Sequence, residues 1–168
     1  MQLMDVTEAA EQLGMKTLER DLSLRGPKLV TSKTYYLPTS SAALTIVSKT
    51  VGERIASLGP CWLQITYWSN DADSNQELFY GYRKGCGDER SLADASVYRF
   101  DEHEGPFIAS ILSLVLYFGW DARIFDADLT YQISVNNGGF LDYESTRTDE
   151  DSIGRELSLL GLSELAPT

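Results

Sequence analysis

Apolar residues recur along the chain with two periods, one helical and one extended, and the change from one to the other sets the order of the elements. From Phe107 to Phe118, residues Ile108, Ile111, Leu112, Val115 and Leu116 fall at helical spacing and Leu114 and Phe118 fill the flanks. Only Ala109, Ser110, Ser113 and Tyr117 are left for a less buried stripe. Gly105-Pro106 starts this helix, because proline is tolerated where its missing N–H would have had no partner, and Gly119 ends it. A helix apolar on nearly every side must lie inside something. The spacing therefore predicts a buried helix over 106–118, around which the rest is built. A second stripe, Leu44, Val47, Val51, Ile55 and Leu58, leaves Thr45, Lys49, Glu53 and Ser57 on the opposite side. It predicts an amphipathic helix capped by Thr39 or Ser40, stopped by Gly59-Pro60 and laid across an outer face of the sheet, with the Phe107 helix deeper. Asp5-x-x-Glu8 followed by Ala9, Ala10 and Leu13 predicts a capped helix before Gly14 and a helical hairpin over 5–25. A last helix is expected to begin at Asp149, Glu150 and Asp151, to bury Ile153, Leu157 and Leu160, and to end at Gly161.

Between these stretches the period is two. Leu63, Ile65 and Tyr67 alternate with Trp62, Gln64, Thr66 and Trp68, and large rings on both sides predict a central strand. Residues 28–37 read as a strand ended by Pro38. Residues 78–84 read as another, turned at Gly85-Cys86-Gly87-Asp88 into an extended segment over 91–100. Trp120 to Phe125 puts Asp121 and Arg123 opposite Trp120, Ala122 and Ile124. Leu129, Tyr131, Ile133 and Val135 alternate strictly with Thr130, Gln132 and Ser134. Asn136-Asn137-Gly138-Gly139 then turns the chain into a return strand whose Leu141 and Tyr143 face the core while Asp142 and Glu144 face outward. The fold class expected is α+β: one domain over 1–168, with a mostly antiparallel sheet in residues 28–168 packed on the buried helix and on further amphipathic ones.

Composition adds little to this except through charge. At 168 residues the chain is long enough to bury a core without staples. The apolar run at Phe107 is shorter than a membrane span, and the first residues lack the basic start of a signal peptide, so a cytoplasmic protein with no membrane partner is expected. Two cysteines, Cys61 and Cys86, predict neither a disulfide framework nor a zinc site. Residues 1–100 carry net −1, whereas residues 101–168 carry net −10. Phosphate binding is driven by counterion release to lysine and arginine, so nucleic acid is disfavoured as a partner of the second part and a basic protein is favoured.

The chain carries candidates for chemistry but no complete motif. Val6 to Leu18, with Glu8-Ala9-Ala10 and Leu13-Gly14 at the turn, resembles the first part of a helix-turn-helix of the excisionase or MerR type. The resemblance implies a DNA-reading helix carrying Lys16 and Arg20; a plain amphipathic hairpin accounts for the same residues. Asp71, Asp73 and Asn75 begin like a calcium loop, but Gln76 stands where glycine should turn and Tyr82 where glutamate should close the cage. A polar hairpin loop is expected there instead. Cys86 and His103, the only histidine, could form a nucleophile and base, although Asp101, Glu102 and Glu104 favour the imidazolium. Neither a cofactor nor a metal is expected. The preferred expectation is a non-enzymatic acidic module of inhibitor, immunity or adaptor type, masking a basic partner such as a toxic or nucleic-acid-acting enzyme. Its partner surface would be Asp121, Asp126, Asp128, Asp142, Glu144, Asp149, Glu150 and Asp151. A DNA-linked regulator and a carboxylate-dependent hydrolase using some of the same acids are the alternatives.

Overall fold

The computed structural model describes residues 1–15, 18, 31–68, 73–85, 87–91, 96–146 and 152–165. In chain order the elements are β1 (Gln2–Met4), α1 (Val6–Gln12), β2 (Thr31–Tyr36), α2 (Ser41–Ala56), β3 (Cys61–Tyr67) and α3 (Asp73–Gly85). They continue with β4 (Val97–Phe100), α4 (Gly105–Phe118), β5 (Asp121–Asp126), β6 (Tyr131–Asn136), β7 (Phe140–Ser145) and α5 (Ser152–Leu159). The strands form one sheet in the order β1-β4-β3-β5-β6-β7-β2, and every pairing is antiparallel. The α+β expectation holds.

The pleat divides the sheet into two faces. Leu63, Ile65, Tyr98, Ala122, Ile124, Ile133, Leu141 and Tyr143 share the larger core with Val51 and Ile55 of α2, Ile108, Leu112 and Val115 of α4, Phe79 of α3 and Leu157 of α5. On the other face Met4, Trp62, Val97 and Phe125 pack with Ala9 and Ala10 of α1 in a smaller core. The Asp5 capping box is formed: its Oδ1 accepts from Thr7 N–H and Glu8 N–H, and Glu8 Oε2 accepts from Asp5 N–H at 2.8 Å. The β6–β7 hairpin has the expected turn, with Asn136 opposite Phe140, Gly139 at φ +82° and Gly138 N–H donating to Asn136 Oδ1.

Residues 78–84 are helical and not a strand. Leu78, Tyr80 and Tyr82 have extended spacing in the sequence, but the residues buried are Phe79 and Arg83, four apart on one helical face, while Leu78 stands 60% exposed. Arg83 and Lys84 fall in the last turn, where a cation suits the helix dipole. The polar segment expected to be a hairpin loop is partly this helix's first turn, from Asp73, and residues 69–72 lie outside those described. The extended segment expected over 91–100 is a strand only over Val97–Phe100, and 92–95 lie outside. The short β1, unanticipated, pairs with β4 at the sheet edge. Only Leu18 of the second half of the N-terminal hairpin is described, and the start of the last helix at Asp149 to Asp151 likewise lies outside.

The two long helices, α2 and α4, pack closely against each other, because small residues let their backbones meet. A Cβ on Gly52 would stand 2.8 Å from the Ala109 backbone nitrogen, and one on Gly105 would stand 3.2 Å from the Ala56 Cβ. Each helix consequently keeps an exposed edge, with Ile46 on α2 and Phe107 and Tyr117 on α4 in solvent. Gly52→Ala should gain roughly 1 kcal/mol of helix propensity but lose about 1–3 kcal/mol to overpacking. The net expectation is a lower urea midpoint; a raised one would mean that the helices part freely.

Candidate functional site

Away from α1, the second face of the sheet is covered by no described element where β5, β6, β7 and β2 lie side by side. Register fixes its rows. Thr34, Asp142, Ser134, Arg123 and Gln64 are cross-strand neighbours in one row; Ser32, Glu144, Gln132 and Phe125 form the next. A register shift between Ile65 and Tyr67 sets Tyr67 opposite Asp121. The alternation in the sequence had put Tyr67 with Leu63 and Ile65 and Trp68 on the other side. The extra residue turns the end of the strand over, so Trp68 packs on Phe79 and Trp120 in the larger core instead.

An open cleft of about 370 Å³ lies at β3, β5 and β6 on this sheet. Asp121, Tyr67, Gln132, Ser134 and Asn136 line it together with Arg123, whose side chain is almost entirely buried. Arg123 Nε donates to Gln64 Oε1 at 2.9 Å, which fixes the guanidinium against the sheet. Each of the acids accepts a hydrogen bond. Asn137 N–H donates to Asp121 Oδ1 and Thr34 Oγ1 donates to Asp142 Oδ1, both at 2.7 Å, and Gln132 Nε2 donates to Glu144 Oε2 at 3.4 Å.

Of the acids singled out in the sequence, Asp121, Asp142 and Glu144 thus come together on one face. Asp126 does not join them. Its carboxylate accepts from Thr130 N–H at 2.7 Å and from Tyr131 N–H at 3.4 Å, closing the β5–β6 turn. Asp128 is exposed within that turn, and Asp149, Glu150 and Asp151 lie outside the described residues. Arg123, Gln64 and Tyr67 were missed as site residues, although a glutamine and an arginine inside otherwise apolar central strands are a readable sign of a polar row.

The other candidates separate. Cys61 is fully buried, and burial first, then the carboxylates of Asp126 and Glu104, pushes its thiol up to about 12, so it supplies no thiolate at neutral pH. Cys86 lies outside the described residues, while His103 is 92% exposed beside Glu102. Asp73, Asn75, Gln76 and Tyr82 of the calcium-like stretch belong to α3, and no His, Cys, Asp and Glu cluster able to hold a metal occurs among the described residues. Lys16 and Arg20 of the helix-turn-helix-like stretch lie outside them. No helix among the described residues is long and apolar enough to cross a membrane. Comparisons with protein-family models, with curated proteins and with solved structures return no match.

Proposed function

We propose that the chain is a non-enzymatic binding module that presents the polar face of β5, β6, β7 and β2 to a basic protein, as an inhibitor, immunity-type or adaptor protein would. The observation that carries this reading is the placement of Asp121, Asp142 and Glu144 on one face that no described element covers, in a part of the chain whose net charge is −10. Fixed carboxylates on a sheet face raise the local concentration of a cationic partner and orient its approach. A rigid sheet also presents them at constant spacing. The cleft beside Asp121 gives that surface a recess into which a side chain of the partner fits.

The test is retention at low salt. The immobilised chain should hold a basic protein from an extract of its native host, and the triple variant Asp121→Lys, Asp142→Lys, Glu144→Lys should not. Equal retention by both would remove this face from the account. Turnover of a substrate abolished by Asp142→Asn or Glu144→Gln alone would replace the proposal with the hydrolase reading.

A further inference from the structure

At the corner of the polar face where β2 ends and β7 begins, aromatic rings stand beside a carboxylate. Tyr36 and Phe140 are register partners, and so are Thr34 and Asp142, two residues along the same two strands. Side chains two apart on a strand share a face and are spaced by about 7 Å, so the two pairs form a square on the sheet. Tyr35, between them in sequence, is wholly buried on the opposite face. The rings of Tyr36 and Phe140 lie with centroids 5.2 Å apart at 45°. Such a cross-strand contact stabilises the ladder by itself, yet Tyr36 remains 47% exposed. Thr34 Oγ1 donates to Asp142 Oδ1 at 2.7 Å, which fixes the carboxylate and leaves Oδ2 without a donor among the described residues. Arg123 lies in the row of Asp142 but two strands away, about 10 Å, and is held to Gln64. The charge beside the rings is therefore negative.

We propose that this corner reads an arginine of the basic partner, its guanidinium plane laid on the Tyr36 ring and its N–H groups donating to Asp142 Oδ2. The inference rests on the proposed reading of this face and names the side chain that the face selects. A carboxylate alone attracts lysine and arginine alike. A ring and a carboxylate on one face favour arginine, because the guanidinium is planar and weakly hydrated, stacks on aromatic faces and offers its donors edge-on to an acid. The ammonium of lysine is a compact, strongly hydrated point charge and gains less from the same pair.

Two fluorescein-labelled peptides of equal charge test it, one alternating glycine with three arginines and the other alternating glycine with three lysines. Their affinities for the full chain are read by fluorescence anisotropy at low salt. The unaltered chain should bind the arginine peptide about threefold or more tightly than the lysine peptide. Tyr36→Leu should abolish that preference while the lysine peptide binds nearly as before. Tyr36→Trp should widen it, since indole is the best ring for a cation, and a ring with only a structural role would not do so. Tyr36→Trp also keeps an aromatic side chain at the sheet edge, so it serves should Tyr36→Leu cost the fold. Equal affinity for the two peptides, or a preference that neither substitution moves, overturns the inference. In that event the acidic-face reading stands if the Asp121→Lys, Asp142→Lys, Glu144→Lys variant loses both peptides, and falls as well if that variant keeps them. Binding of neither peptide to the unaltered chain overturns both.

Discussion

Leu112→Ala should destabilise the chain by about 2–5 kcal/mol, the range for emptying a fully buried aliphatic position in a core that relaxes only in part. Leu112 has no exposed surface and sits in α4 between the sheet and the neighbouring helix, with Ile108, Ile111 and Val115 in the same core. The surroundings are poorly able to collapse into the void. β3, β5 and β6 are tied into a ladder on one side, and the close approach of Gly52 to Ala109 fixes the separation of α2 and α4 on the other. Tyr117→Ala on the same helix, at 62% exposure, should stay within about 0.5 kcal/mol. Urea unfolding of the two variants separates them; a Leu112→Ala loss under about 1 kcal/mol would mean that α4 does not anchor the core.

Asp88→Asn should cost about 2–3 kcal/mol near neutral pH, with the loss disappearing in acid. Arg83 is wholly buried and donates to Ser91 O and Arg90 O, each at 3.3 Å, and to Asp88 Oδ1 at 3.4 Å. Arg90 grips the same carboxylate at 2.7 Å and reaches on to Leu3 O and Glu8, so one acid ties α3 to β1 and α1. The Arg90 hydrogen bond first, and the charges of Arg90 and Arg83 after it, hold the Asp88 carboxyl at about 2 against the opposing effect of burial. Because the folded value lies below the unfolded one, the stabilisation is complete above the ordinary carboxylate range. It is lost as pH falls toward about 2. Urea midpoints of the unaltered chain and Asp88→Asn should therefore converge between about pH 5 and pH 2. A gap that persists at pH 2 would place the effect in packing and not in charge.

The sequence announced those elements whose buried side chains repeat without interruption. The α4 helix, the β6–β7 hairpin and the alternation of Asp121 and Arg123 were legible because one period runs through each and glycines mark the ends. α3 was not. Its aromatic residues fall on several sides of the helix, and the buried position at Arg83 is polar, so hydrophobic spacing alone suggested a strand. The bulge before Tyr67 was equally invisible, since one inserted residue has no compositional mark, yet it decides which ring borders the cleft. The close approach of α2 and α4 depended on Gly52 meeting Ala109, a contact between residues 57 apart in the chain. Among the candidate site residues, the convergence of Asp121, Asp142 and Glu144 depended on strand order, because β7 reaches β5 only across β6. Asp126 has the same composition but opposite use, since the pleat sends its neighbours on β5 to the polar face and leaves its own carboxylate to close a turn.

The most direct measurement is the association rate between the chain and the basic protein it retains, followed across salt concentrations. With Asp121, Asp142 and Glu144 as the steering charges, the triple lysine variant should bind about tenfold or more slowly at low salt. Its rate should lose most of its dependence on ionic strength, because screening acts on attraction that the variant no longer has. Association at an unchanged rate and with an unchanged salt dependence would contradict the account.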